Sequence, residues 1–482
     1  MKLSVVLFAL IALPTVALAQ PASPGPAPAP GPPGDPPVPP PEDSPQWLPG
    51  VVDVTAAETA VPGKLTLTMA RAVEIAQKTQ PSQRAALASV EAAKGRVDSA
   101  RTAEHPNVTL SASATTGSQF RGPCDTTMPM GAQCGGFASA TYGTSLGASA
   151  TWKIYDFGLT HANVAAAQAN ADAASYGVSV NSLDVRRDVE IAYLEALARA
   201  RLTVVAAATV KSEDGHLDQA KRFVAAQAKD PIEVAQAQSR DSNAKSALAQ
   251  AQSNEAVALA NLRAAIGWID PTRAPAVDPN WPTPDAEQPP ALADLVVTAR
   301  KYRPEIVQFD KEIEASDASL TAAHAERRPV LSASAGVSWT PEEGAWSPQP
   351  TWSAGIALSW ALWDGGRSWA DQRIASANVT TAIASRDSLL VSLTSTLESS
   401  RAQIVANRAN VDASTEAVTA AQAQLKLAEA RYAQGLGSQI ELADAQTAVT
   451  TASGNLITAE WQLADAWATL RRALGQQPQA QR

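Results

Sequence analysis

The residues that could carry chemistry are few, and most stand where chemistry cannot happen. Gly143-Thr144-Ser145-Leu146-Gly147 fits the G-x-S-x-G pattern of a nucleophile elbow. That elbow needs a sharp strand-to-helix turn to lift the serine hydroxyl clear of the sheet. Ser145 lies instead inside a run of period two with no turn signal, so a hydrolase built on it is set aside. His105, His161, His216 and His324 are scattered singly, without metal-ligand spacing, and no metal or catalytic site is expected from them. No phosphate loop or dinucleotide fingerprint occurs, so no cofactor is expected and any energy must come from a partner.

With chemistry scarce, the elements themselves carry the information. Trp360-Ala361-Leu362-Trp363-Asp364-Gly365-Gly366 has an earlier copy in Trp152-Lys153-Ile154-Tyr155-Asp156-Phe157-Gly158. In both, an alternating run ends at aromatics and Asp-x-Gly, and a helical pattern begins. The aspartates, Asp156 and Asp364, can cap the free N–H groups of a helix, and Gly158 and Gly366 let the backbone turn.

The surroundings repeat as well. Residues 1–19, an apolar run closing on Ala17-Leu18-Ala19, read as a signal peptide rather than a membrane anchor, being too short to span. Residues 20–64 form a Pro-rich linker, with 14 of the 34 prolines between Pro21 and Pro49. A first repeat covers 65–266: short helices to about 104, strands at about 107–118 and 139–155, a long helix at 159–229 and a return helix at 232–266. A Pro-rich connector, 267–290, leads to a second repeat, 291–475. Its strands fall at about 330–339 and 351–363, its long helix at 366–434 and its return helix at 440–474. Residues 476–482 are a tail.

A helix of that length reaches roughly 100 Å, beyond any ordinary globular helix. Its larger apolar residues in the second repeat fall seven apart, at Ile383, Leu390, Leu397, Ile404, Val411, Val418, Leu425 and Tyr432. The return helix answers with Leu442, Val449, Leu456, Leu463 and Leu470. Sustained heptads joined by a short turn mean an antiparallel coiled coil. Alanines elsewhere let further helices approach.

Each strand has one small polar face and one apolar face, at the length of a tilted membrane-spanning strand. Trp339 and Trp352 flank one end, and Trp152, Tyr155, Trp360 and Trp363 the other, as a bilayer interface favours. Half of a β-sandwich would carry more Val, Ile and Phe. Four strands cannot close alone, and an open edge in lipid leaves backbone groups unpaired, so several chains must share one barrel. A net charge of −9 without a basic block argues against nucleic acid.

The duplicated plan, the Trp/Tyr-Asp-x-Gly corners and Ala430-Arg431-Tyr432-Ala433-Gln434-Gly435 together resemble the TolC-type outer-membrane efflux proteins, over roughly Leu65 to Gly475. That resemblance implies an α+β membrane protein built from a duplicated helix–β-hairpin–long helix–helix unit. Four strands per chain contribute to a trimeric 12-stranded β-barrel in the outer membrane, continued by a long periplasmic α-helical, coiled-coil barrel. The implied function is the passive exit duct of a tripartite efflux or type I secretion system. Its partners are two further copies of itself, a periplasmic adaptor, an inner-membrane pump and outer-membrane lipid. A coiled-coil structural or adhesive surface protein is the alternative, and it would lack the barrel and its conductance.

By the same resemblance, the turns at Asp230-Pro231 and at Gly435 and Gly437 form the periplasmic tip, where the adaptor docks. Acidic rings at such tips constrict the tunnel, and the matching positions are Glu441 and Asp444, with Glu233 the looser equivalent. Spaced three apart, Glu441 and Asp444 can share a helix face, although acids are favoured at a helix N-terminus anyway. Some relatives hold the tip shut with a basic residue where this chain has Gly437, so a salt-bridged gate is not expected. Cys124 and Cys134 lie in the first hairpin loop, on the extracellular side of this arrangement. A disulfide between them would contribute roughly 2.5 to 3 kcal/mol by loop closure.

Overall fold

The computed structural model describes residues 66–121, 137–269, 276–278, 288–340 and 349–475. The leader and proline tract, Cys124, Cys134 and the tail lie outside the described residues. Short helices α1 (Met69–Thr79) and α2 (Pro81–Arg101), with a 3₁₀ turn at Thr102–Glu104, lead into strands β2 (Asn107–Arg121) and β3 (Phe137–Tyr155). The long helix α3 (Leu159–Ala225) and its return α4 (Ile232–Ile266) complete the first repeat. The second consists of α5 (Leu292–Tyr302), α6 (Pro304–Ala325), β5 (Val330–Thr340), β6 (Gln349–Ser359), α7 (Arg367–Ala433) and α8 (Gln439–Leu474). A two-residue parallel ladder, β1 (Thr66–Leu67) on β4 (Ala276–Val277), ties the connector back to the start of α1. Nothing in the sequence reading anticipates it.

The repeat is metrically tight. Both long helices are 67 residues, and the landmarks Trp152, Asp156, Gly158, Glu233, Ile266 and Gly267 recur at one constant spacing as Trp360, Asp364, Gly366, Glu441, Leu474 and Gly475. Each repeat has its own core where the short helix meets the long pair. Leu67, Val73, Val189, Tyr193, Leu197, Leu262 and Ile266 form one, and Leu295, Leu393, Leu397, Ile404, Leu463, Leu470 and Leu474 the other. Leu397, Ile404, Leu463 and Leu470 belong to the heptad series, so the seven-residue period is the seam of α7 on α8. Ile383 in the same series is 39% exposed, because α7 there lies beside α6 and not beside its return helix.

The closing motifs have a physical reason. Gly267 (φ 75°) and Gly475 (φ 68°) end their return helices in the left-handed region that favours glycine. A Cβ at Gly267 would meet Gln80 at 3.0 Å, and one at Gly475 would lie 2.8 Å from the Tyr302 carbonyl oxygen. The return helix can dock on the hinge between the two short helices only because no side chain intervenes. Beside that contact Arg472 is held between Asp184 (2.7 Å) and Glu305 (2.6 Å), and Arg303 reaches Glu305 at 3.1 Å. Arg471 pairs with Glu190 at 3.1 Å. The paired arginines before Gly475 thus bolt the end of α8 to α3 and α6.

The four long strands form one antiparallel sheet in the order β2-β3-β5-β6. Register places Val108, Leu110, Leu146, Ala148, Trp152, Val337, Trp352, Ile356 and Leu358 on one face. The other face carries Ser, Thr and Gly, with Ser113 bonded to Ser145 at 2.7 Å and Ser338 to Thr351 at 2.8 Å. Ser145 therefore bonds to a strand neighbour and stands on no elbow. A bulge between Lys153 and Tyr155 shifts the register and pairs Tyr155 with Leu331, so Tyr155 joins the apolar face and Ile154 is the extra residue. The apolar face is uncovered, with Trp352 81% exposed and Leu110 75%.

Two boundaries fall four residues short of expectation. The long helix α3 stops at Ala225, not 229, because Gln227 takes a left-handed conformation (φ 56°). Strand β6 stops at Ser359, not 363, leaving Trp360 and Trp363 in irregular chain before the turn. There Gly365 (φ 70°) and Gly366 (φ 91°) both demand a non-strand backbone.

Candidate functional site: the strand-to-helix corners and the helical tip

At each corner an aspartate organises the turn. Asp364 accepts from the N–H groups of Gly366 (3.0 Å) and Ser368 (2.8 Å), and Asp156 from those of Gly158 (3.3 Å) and Thr160 (2.8 Å). The Thr160 hydroxyl also bonds Asp156. Hydrogen bonds from Ser368 and Gly366 hold the Asp364 carboxyl below the ordinary carboxylate range. Burial pulls the Asp156 carboxyl upward, but the bonds from Thr160 and Gly158 outweigh it and the net direction is down.

The aromatics before each aspartate are tied to the preceding helix in the same way. Trp152 Nε1 donates to the Glu104 carbonyl and Trp360 Nε1 to the Arg327 carbonyl, both at 3.0 Å. Each indole thus has its polar edge on the backbone and its body at the foot of the apolar face. Trp363 is 84% exposed. Trp339 and Trp352 stand at the opposite end of the strands, next to β5–β6 pairs Trp339–Pro350 and Val337–Trp352.

At the far end of α7, Gly435 (φ 73°) turns the chain. Its N–H donates to the Tyr432 carbonyl, while those of Leu436 and Gly437 donate to Arg431. Gly437 has no room for a side chain: a Cβ would lie 3.0 Å from the Tyr432 nitrogen. Ser438 then caps α8 by accepting from the Glu441 N–H at 3.1 Å. In the first repeat Gln227 stands where Gly435 does, and Asp230 and Pro231 open α4, the Asp230 carbonyl accepting from Glu233 N–H at 3.0 Å.

The acidic residues are not equivalent. Glu441 is paired with Arg431 at 3.1 Å on the surface. Asp444 is exposed and lines a groove of about 970 Å³ between α7 and α8, with Asn410, Ser414, Gln424, Thr451 and Asn455. Glu233 is turned inward, taking a hydrogen bond from the Tyr432 hydroxyl (3.2 Å) and an ion pair from Lys229 (3.2 Å). Phe223 meets the Tyr432 ring edge-on at 5.7 Å. Burial, followed by the Glu233 charge, pushes the Tyr432 phenol up to about 12.

The tip carries ion pairs within one chain. Arg431 and Lys229, the latter at the position corresponding to Gly437 in the duplicated register, both pair with tip carboxylates. One signal could have located the Tyr432 contact: Tyr432 is the single hydroxyl in an otherwise aliphatic heptad series, and a buried phenol needs a partner.

A sheet with an uncovered apolar face, aromatics at both ends and a polar face behind it, standing on helices about 100 Å long, defines an outer-membrane duct. Among the described residues no helix is long and apolar enough to cross a membrane. The chain matches the family described as outer membrane efflux protein over residues 72–268 and 295–476, and it belongs to that family. It is 23% identical over 399 residues to nodulation protein T of Rhizobium leguminosarum bv. trifolii, covering 81% of each chain. Its fold is similar to that of a membrane protein from Pseudomonas aeruginosa (TM-score 0.70, 22% identity, 84% of this chain and 93% of that one). It is also similar to the CmeC outer membrane channel of Campylobacter jejuni (TM-score 0.71, 15% identity, 84% and 85%). The protein is an outer-membrane efflux channel whose helices extend into the periplasm.

Proposed function

We propose that three copies of this chain form one passive duct, carrying small toxic molecules or a secreted protein from an inner-membrane pump to the exterior. The observation that carries the reading is the pair of open edges. Among the described residues strands β2 and β6 each lack a partner on one side, and the helices beneath them follow the same order, α2-α3-α6-α7. Three copies of a four-stranded sheet joined β6 to β2 close a barrel of twelve strands, wide enough for a channel. The same operation brings α7 of one copy beside α2 of the next and supplies the flank that α7 lacks.

In this reading residues 1–19 direct export and 20–64 act as a spacer. The turns at Asp230, Pro231, Gly435 and Gly437 meet a periplasmic adaptor, and the carboxylates of Asp444 and Glu441 from three copies favour cations at the tip. Reconstitution in a planar bilayer tests it, with cross-linking to count copies. The expected result is a trimer with cation-preferring conductance, and Glu441→Ala with Asp444→Ala weakens that preference. A monomer that never conducts sinks the duct, and unchanged selectivity in the double variant removes both acids from the pore.

A further inference from the structure

We propose that a groove between the start of α3 and the end of α6 binds the phosphodiester of an anionic phospholipid in the periplasm-facing leaflet, through His161, His324 and Arg328. The groove holds about 540 Å³ and is walled by Phe157, Ala165 and Thr321 beside those three. No carboxylate lines it. Among the described residues neither imidazole has a hydrogen-bond partner, and Arg328 spends one N–H on the Phe157 carbonyl at 3.1 Å. Arginine's planar fork leaves further donors for phosphate oxygens, and imidazole N–H groups complete a donor set on two adjacent helices. The helix terminus contributes little, because Asp156 already takes the N–H groups of Gly158 and Thr160.

Position selects a lipid. The bulge in β3 brings Tyr155 onto the apolar face opposite Leu331, and the Phe157 ring packs edge-on against Tyr155 at 4.6 Å. Phe157 is also a wall of the groove, so the groove adjoins the end of the apolar face that Tyr155 closes. A headgroup there can leave its acyl chains on the sheet. Phe157 is held at φ 53°, a costly conformation for a bulky residue, whereas the second corner uses Gly365 at the same place. The other differences agree: His161 corresponds to Trp369, whose ring is stacked at 4.2 Å on Arg327 and covers that cation. The first corner keeps its donors open.

The proposal rests on the barrel standing in the outer membrane, so lipid retention and conductance are read on the same preparations. Full-length protein is exchanged from nanodiscs of phosphatidylglycerol and phosphatidylcholine into detergent, and retained lipid per chain is counted by mass spectrometry. The expected result is retained phosphatidylglycerol in preference to phosphatidylcholine. Arg328→Gln, and separately His161→Gln with His324→Gln, reduce it about tenfold, the loss of one charge-assisted hydrogen bond, with conductance unchanged. Should Arg328→Gln fail to assemble, the double histidine variant keeps the Arg328–Phe157 bond and decides the matter. Wild-type retention in the histidine variant overturns the site. Displacement by inorganic phosphate at the concentration of phosphatidylglycerol assigns the groove to free phosphate and overturns the lipid reading. Loss of conductance in the wild type refutes the duct instead, without touching the retention result.

Discussion

Gly475→Ala tests whether the return helix docks on the hinge as closely as the coordinates place it. Gly475 sits at φ 68°, and alanine in that region costs about 1–2 kcal/mol. The added Cβ would lie 2.8 Å from the Tyr302 oxygen and 2.9 Å from the Arg303 Cα, both backbone atoms that cannot swing away. Overpacking of this kind adds about 1–3 kcal/mol, giving about 2–5 kcal/mol per chain. Gly435→Ala is the matched control, since its φ is 73° and nothing lies within 4 Å of its Cβ. Only the conformational part, about 1–2 kcal/mol, applies there. Urea unfolding in detergent, followed by far-UV circular dichroism, compares the two. Equal losses would refute the close approach of α8 to the hinge, and no loss at either site would refute the left-handed backbone at both.

Tyr432→Phe removes the hydroxyl bond to Glu233 while keeping the ring packing, and is expected to cost about 1 kcal/mol in the same unfolding assay. The Tyr432 phenol is raised in the folded state, so its contribution is complete below about pH 10 and is lost as pH climbs through about 12; ultraviolet titration of phenolate should show that late component vanish in Tyr432→Phe. The Asp364 carboxyl is depressed, so its contribution is present above its unfolded value of 3.8 and lost as pH falls below it. Asp364→Asn should flatten that acid limb of stability, measured by acid-induced dissociation. Phe157→Gly relieves a left-handed phenylalanine and is expected to raise stability by about 1 kcal/mol in the same unfolding assay.

Much of this architecture was legible because it is written in periods. Alternation marked the strands, and the seven-residue series from Leu397 to Tyr432 marked the seam that is protected in the folded chain. The misses came where a single residue overrode its neighbours. Gln227 ends α3 in a conformation usually signalled by glycine, so the helix read four residues too long. The bulge at Ile154 moved Tyr155 to the apolar face without changing any residue type. The contacts of Arg472 with Asp184 and Glu305, and of Tyr432 with Glu233, join residues far apart in the chain, and no local pattern announces them.

The duplication is more than a fold description, because the two repeats agree in geometry and disagree in chemistry at the same places. Helix lengths, aspartate caps, indole bonds and closing glycines coincide, which in three copies builds a scaffold close to sixfold. The departures fall at its two ends. Lys229 corresponds to Gly437 and Gln227 to Gly435 at the tip, while Phe157 corresponds to Gly365 and His161 to Trp369 at the corners. Sites that must move, select or meet lipid are where a repeated scaffold gains from being only threefold. The substitutions that separate the repeats are therefore the ones to mutate first when function, and not stability, is the question.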